Sequence, residues 1–407
     1  MRVKYQNDMT PFDMAEKPRE QMPVLMPLIW GGAYFLTRQF DLKIHKENME
    51  KIDPPYLVLA THQGPADYYV GSLALFPHRA MYVSDMEGFY AYGKKLYRRL
   101  GCIGKRRFVP DVIVVRTIKY ALELGQPVVI YPEARHSNVG TTALIPKNLG
   151  KLCKYLDVPV VTLTVNGSYL ANPFWDEEHT RRVPMEAMLE CICTKEQLSC
   201  TDPDRLQRNI ERKLQYDEYR YQQENQIMIR EPNRAEGLHK ALYQCRKCGT
   251  KYRMKSHGSI LECEFCSTEY LLTEDGYLEN LKEQQKVHIP DWYDWERKQV
   301  QANPERFGFS CRVEALPNEK GFVNLGEGEL FMDETEFQLK FRGEELHFPH
   351  VSRESVQTEY DYKGKGMCIV LSTRECSYYI YSDDPGFNPT LLQFSAEYYS
   401  AAARGRK

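Results

Sequence analysis

The sequence predicts an α/β domain with a largely parallel sheet, then a small cysteine-stapled ribbon, then a C-terminal β-barrel-like domain closed by a capping helix. Three observations carry this. In the first half, short apolar runs alternate with helical stretches. In the middle, two Cys-x-x-Cys pairs stand fourteen residues apart. Toward the end, seven short strand-like runs precede one amphipathic helix. The 407 residues suffice for this many cores, with domains expected at 1–235, 236–285 and 305–407 and a polar linker over 286–304.

In the first domain, strands are expected at 56–60, 80–83, 128–131, 158–165 and 188–193, and helices near 66–75 and 111–124. Gly64-Pro65 breaks the first apolar run, which puts His62 on a strand-to-helix turn. Gly125 reads as a helix C-cap before the Gln126-Pro127 entry to the next strand. Residues 202–226 mix acids and bases at helical spacing and read as a solvated closing helix. The apolar stretch 22–36 is shorter than the ~20 residues a membrane span requires and holds two prolines and two glycines. It reads either as a buried element or as a shallow interfacial anchor with Trp30, Tyr34 and Phe35 at headgroup level.

A net charge of −2 excludes a global pull toward nucleic acid, so any anion-binding surface must be local. Residues 1–21 lack the basic, apolar and small-residue sequence of a secretory signal. Of twelve cysteines, eight are scattered without a secreted-domain framework, which suits a reducing, cytoplasmic setting. The other four, Cys245, Cys248, Cys263 and Cys266, offer four thiolates at the spacing of a tetrahedral zinc site. Four protein sulfurs leave no open position, so the zinc is expected to be structural and to supply folding energy. A redox disulfide is the competing account for either pair alone. The ribbon's basic residues are opposed by Glu262, Glu264, Glu269 and Glu274, and nucleic acid is not an expected partner.

Strand signals follow at 307–314, 327–332, 336–341, 344–349, 356–362, 367–372 and 377–381, then a helix at 389–403. By layout this resembles pleckstrin-homology-like or GRAM-like barrels. No dense basic loop appears, so inositol-lipid binding has weak support, and a protein-contact or self-association role is an equal expectation.

The most informative residues are His62 and Asp67, with four residues between them across a turn, a spacing that returns the carboxylate to one imidazole nitrogen and leaves the other free. Three further blocks follow in order. They are Gly101-Cys-Ile103-Gly-Lys-Arg106-Arg107, then Tyr131-Pro132-Glu133-Ala134-Arg135-His136-Ser137, then the strand opening Val158-Pro159-Val160-Val161. As a set these four blocks resemble the glycerolipid acyltransferase family, whose best-known members acylate lysophosphatidic acid. The resemblance implies direct transfer of an acyl group from acyl-CoA or acyl carrier protein to a lysophospholipid hydroxyl at the inner face of a membrane. It implies His62 as base, Asp67 as its orienting acid, and Arg107, Gly101 and Glu133 among the acceptor-binding residues. Seven basic residues between Lys94 and Arg107 add to an expected phosphate site.

The third block departs from the family's usual Phe-Pro-Glu-Gly-Thr-Arg-Ser. Alanine replaces its glycine, and Arg135 stands one place early with His136 in the arginine position. His136 presents a cation when protonated, or Arg135 reaches the phosphate through a shifted loop. Glu133 either meets substrate or accepts backbone hydrogen bonds under the sheet. A catalytically degenerate scaffold, recruiting a protein through the ribbon and barrel, is the competing function.

Overall fold

The computed structural model describes residues 3–176 and 178–405. The first sheet holds β1 (Lys43–Glu47), β2 (Leu57–Ala60), β3 (Met81–Ser84), β4 (Cys102–Gly104), β5 (Val128–Ile130), β6 (Val160–Asn166) and β7 (Glu186–Cys193), in the order β1-β7-β6-β2-β5-β3-β4. Every neighbouring pair is parallel except β6 with β7, so the sheet is mixed. Among the described residues between β6 and β7 the one helix is four residues long, Ser168–Ala171, shorter than the crossover helix that parallel pairing uses. β1 escapes sequence reading because it is a polar edge strand, Lys-Ile-His-Lys-Glu, with most side chains exposed.

Both faces of this sheet are covered. Leu57 and Leu59 of β2 pack with Val114, Ile118 and Ile210 on one side. Val58 and Ala60 pack with Val70, Tyr169 and Trp175 on the other. Burial on both faces is why β2, β5 and β6 read as continuous apolar runs. The segment read as one solvated closing helix is two, Pro203–Lys213 and Glu218–Glu224, and the first buries Leu206 and Ile210 against the sheet.

The second sheet is an antiparallel meander of β8 (Met254–His257), β9 (Ile260–Cys263), β10 (Thr268–Leu272), β11 (Tyr277–Asn280) and β12 (Lys286–His288). Its apolar residues Leu261, Tyr270 and Leu278 belong to the same core as Val58 and Trp175. The stretch expected to be a linker is instead β12 followed by a helix, Ile289–Ala302. Trp292, Tyr293 and Val300 share its buried side, and Tyr293 stacks edge-on against Phe394 of the C-terminal helix.

The third sheet is antiparallel and curled. Its strands are β13 (Phe307–Asn318), β14 (Gly321–Met332), β15 (Glu336–Phe341), β16 (Glu344–Pro349), β17 (Gln357–Glu359), β18 (Cys368–Ser372) and β19 (Ser377–Tyr381), ordered β16-β15-β14-β13-β19-β18-β17. Register shifts after Val313 and Ala315 bend the long β13–β14 pair. The helix Pro389–Ala403 caps the sheet with Leu392, Ala396 and Tyr399.

This third sheet is tied to the first at several points. Residues 5–12 run along it, with Gln6 N donating to Phe322 O and Phe12 N to Pro317 O. Arg106 is buried and donates to the carbonyls of Leu316, Pro317, Arg374 and Glu375 and to Ser377 Oγ. Phe89 and Tyr90 meet Phe322, Tyr362 and Tyr379 in a shared apolar cluster.

Candidate active site

The C-terminal ends of β2 and β5 place the two motif turns side by side. Beyond β2 the chain turns at Gly64, where an added Cβ would lie 3.3 Å from Ser168 O. Asp67 then opens the helix Asp67–Ala74. Its carboxylate Oδ2 lies 3.1 Å from His62 Nδ1 and accepts from Gln63 N at 2.6 Å and Gly64 N at 3.0 Å. Oδ1 accepts from Ser168 Oγ at 2.6 Å. Four donors converge on one buried carboxylate, which fixes its position, and with it the imidazole that donates from Nδ1. Among the described residues, Nε2 of His62 has no hydrogen-bond partner, and the side chain is 21% exposed. Ser168 lies outside all four motif blocks and carries no signal that a single sequence reveals.

The third block braces this turn. Tyr131 stacks on the His62 ring with centroids 4.4 Å apart, and His136 meets it edge-on at 4.3 Å. Glu133 Oε1 accepts from His62 N at 3.1 Å, while Oε2 accepts from Ala143 N at 2.7 Å and Tyr216 OH at 3.0 Å. Both oxygens are thus engaged within the protein. Burial pushes the Glu133 carboxyl up to about 7, against the pull of those three hydrogen bonds. Ala134 adopts the left-handed conformation, φ 56°, so the turn for which the family uses glycine is kept here at a cost in strain.

The other sequence candidates separate. Gly101 lies at the start of β4, the end of the sheet opposite His62, where an added Cβ would meet Gln21 Cγ at 2.8 Å; it spaces the N-terminal segment and does not line the His62 edge. Arg135 turns into the interface with the C-terminal helix, donating to Ser355 Oγ at 3.0 Å and Glu397 Oε1 at 2.9 Å. His136 remains beside His62, but burial, His62 and Arg107 hold its pKa well below the ordinary histidine value, so it is neutral at physiological pH and supplies no cation. Arg107 pairs with Asp85, the N-cap of the helix Met86–Tyr92, and its Nη1 lies 4.0 Å from Glu359 Oε1 on β17. Burial opposes its charge, and Asp85, Glu87 and Glu359 more than offset that, raising its pKa. The basic run from Lys94 to Arg107 forms no common patch: Arg98 and Arg106 are buried, and Lys94 pairs with Glu16.

The four cysteine sulfurs converge between β8, β9 and the preceding loop, all within 4.8 Å of one another. Cys245 Sγ and Cys266 Sγ are 3.8 Å apart, as are those of Cys248 and Cys263. Four sulfurs at ~2.3 Å from a tetrahedral centre stand ~3.8 Å apart, so this donor set fits a metal ion.

Residues 41–166 match the family model described as Acyltransferase. The match runs from just before β1 to the last residue of β6 and takes in His62, Asp67, Arg107 and Glu133. No curated protein matches the chain. Among solved structures, the 1-acyl-sn-glycerophosphate (LPA) acyltransferase PlsC from Thermotoga maritima is similar at 18% identity and a TM-score of 0.38, over 47% of this chain and 76% of that one.

Proposed function

We propose that the protein is an O-acyltransferase that moves a fatty acyl group from acyl-CoA or acyl carrier protein to the hydroxyl of a lysophospholipid, a step of phospholipid biosynthesis. The observation that carries this is His62, held by Asp67 through Nδ1 with Nε2 unengaged among the described residues, at the strand-end edge of the segment that matches the Acyltransferase family model. Nε2 takes the proton from the acceptor hydroxyl as its oxygen adds to the thioester carbonyl. Asp67 stabilises the imidazolium. The C–S bond then breaks, and the departing thiolate receives the proton from His62. No protein nucleophile takes part: Ser137 Oγ donates to Thr141 O and accepts from Thr141 N. Arg107 serves the acceptor phosphate, and Glu133 positions the His62 turn.

Structural zinc on Cys245, Cys248, Cys263 and Cys266 staples a ribbon whose core is continuous with the first sheet. Seven antiparallel strands followed by one helix support a pleckstrin-homology-like or GRAM-like reading of the third sheet. A peripheral position on the inner face of the membrane is supported by the helix Met26–Thr37, which buries Met26 and Ala33 and exposes Leu28 and Phe35 at 75% and 74%. No helix among the described residues is long and apolar enough to cross a membrane.

One observation favours a scaffold instead: Arg106 and Arg135, both from motif blocks, are consumed in contacts with the third sheet and its helix. Labelled acyl transfer to a panel of lyso-lipids, with His62→Ala beside wild type, decides between the two. Transfer lost in a folded His62→Ala protein supports the enzyme with His62 as base; equal transfer in both keeps the enzyme and removes His62 as its base; transfer in neither favours the scaffold.

A further inference from the structure

Two imidazoles share the edge where His62 lies. In the turns 61–64 and 135–138, Thr61, Gln63, Gly64, Arg135, Ser137 and Asn138 are buried, whereas His62 and His136 keep partial exposure. Their ring centroids are 4.3 Å apart with the planes at 70°. Phe174 also meets the His136 ring edge-on, at 5.9 Å. Among the described residues the nitrogens of the His136 ring have no hydrogen-bond partner, so an N–H stands unspent next to the His62 ring. Other donors around His62 are committed. The amides of Thr61 and His62 go to Leu163 O and Glu133 Oε1, and those of Gln63 and Gly64 both go to Asp67 Oδ2. Ser137 Oγ donates to Thr141 O, and Arg135 donates to Ser355 and Glu397. The Tyr131 hydroxyl is buried against the helix Asp67–Ala74, 4.0 Å from where a Cβ on Gly71 would stand.

Acyl transfer requires such a donor. As the acceptor oxygen adds to the thioester carbonyl, the C=O π pair moves onto the carbonyl oxygen, and that charge is stabilised by a donor about 3 Å away. Base and donor must reach the same reacting centre, which confines them to about 6 Å of one another. The 4.3 Å between the two rings meets this condition. Burial, His62 and Arg107 keep His136 neutral, so it can donate a hydrogen bond without becoming a second acid beside the base. We propose, resting on the acyltransferase reading, that His136 is a second catalytic residue, whose ring N–H binds the oxyanion of the tetrahedral intermediate formed at His62. No proton leaves His136. When the intermediate collapses, the electron pair re-forms C=O, the C–S bond breaks, and the thiolate takes its proton from His62. The histidine that stands in the third block's arginine position thus serves the reacting carbonyl, not the acceptor phosphate.

The test is initial-rate transfer by the full chain from labelled acyl-CoA and acyl carrier protein to a panel of lyso-lipids, comparing wild type with His136→Phe and His136→Gln. Each kcat is taken on the plateau of that enzyme's pH profile, so that a shift in the ionisation of His62 is not read as loss of a donor. Phenylalanine keeps a ring against His62 and Phe174 and removes the donor, whereas glutamine gives up the ring and keeps an N–H. His136→Phe is expected to lower kcat by about 10²-fold or more, the effect of one oxyanion donor, with KM for both substrates within about threefold of wild type. His136→Gln is expected to keep about ten times the kcat of His136→Phe or more. A folded His136→Phe enzyme within about threefold of the wild-type kcat, or His136→Gln no faster than His136→Phe, overturns the proposal. If His136→Phe does not fold, His136→Met replaces it, a chain as long as glutamine without its donor; equal kcat in the Met and Gln variants then overturns the proposal. An active wild type matched by His136→Phe removes His136 alone and leaves the acyltransferase reading standing, whereas a wild type that acylates no lyso-lipid overturns both.

Discussion

Asp67→Asn separates the charge of this residue from its hydrogen bonds. Asp67 Oδ2 faces three donors, His62 Nδ1, Gln63 N and Gly64 N, so the amide oxygen of the variant must take that position. Its NH2 then faces Ser168 Oγ, a hydroxyl able to turn and accept. The turn and the Nδ1–H tautomer of His62 are preserved, and what is lost is the negative charge opposite the imidazolium formed during transfer. Two unit charges ~4 Å apart at an effective dielectric of ~20 interact by ~4 kcal/mol. At ~1.4 kcal/mol per decade this predicts a fall in kcat of ~10³-fold, with KM for the acceptor nearly unchanged. The assay is initial-rate transfer of labelled acyl groups, with thermal unfolding run alongside to show that the fold is intact. An Asp67→Asn enzyme keeping more than about a tenth of the wild-type kcat would refute the electrostatic role assigned to the pair.

Ser168→Ala leaves Asp67 Oδ1 buried without a donor, at a cost of about 1–3 kcal/mol, and should lower both Tm and kcat, whereas Ser168→Thr restores the hydroxyl and part of the loss. With the proposed zinc on Cys245, Cys248, Cys263 and Cys266, a chelator should make these thiols reactive to alkylation and lower the Tm of the whole protein in one transition, because Leu261 and Tyr270 share a core with the first sheet. In the folded state, burial opposes ionisation of Glu397, but Arg297 and Arg135 outweigh it and lower its pKa to about 2. The stability this confers is present above the ordinary carboxylate range and lost as pH falls toward 2, so tyrosine fluorescence should report loosening of the C-terminal helix in acid, with a shallower acid limit in Glu397→Gln.

Local chemistry was enough for part of this protein. His62 and Asp67 lie within one turn of chain, so their spacing alone brings carboxylate to imidazole, and the two Cys-x-x-Cys pairs likewise encode their own convergence. Strands buried on both faces show as apolar runs, which is why β2, β5 and β6 were legible, whereas polar edge strand β1 was not. The helix Ile289–Ala302 reads as a linker in sequence because its few apolar residues are separated by charges, and only tertiary packing, of Trp292 on Tyr270 and of Tyr293 on Phe394, gives them a buried side.

The fate of the motif cations was decided by tertiary structure. Arg106 finds its acceptors around Leu316 and Glu375, and Arg135 finds Glu397, more than two hundred residues away in each case. A guanidinium reads the same in sequence whether it awaits a phosphate or closes an interface. Which of these it does depends on the acceptors that folding brings within about 3 Å, and that is a property of the assembled sheets.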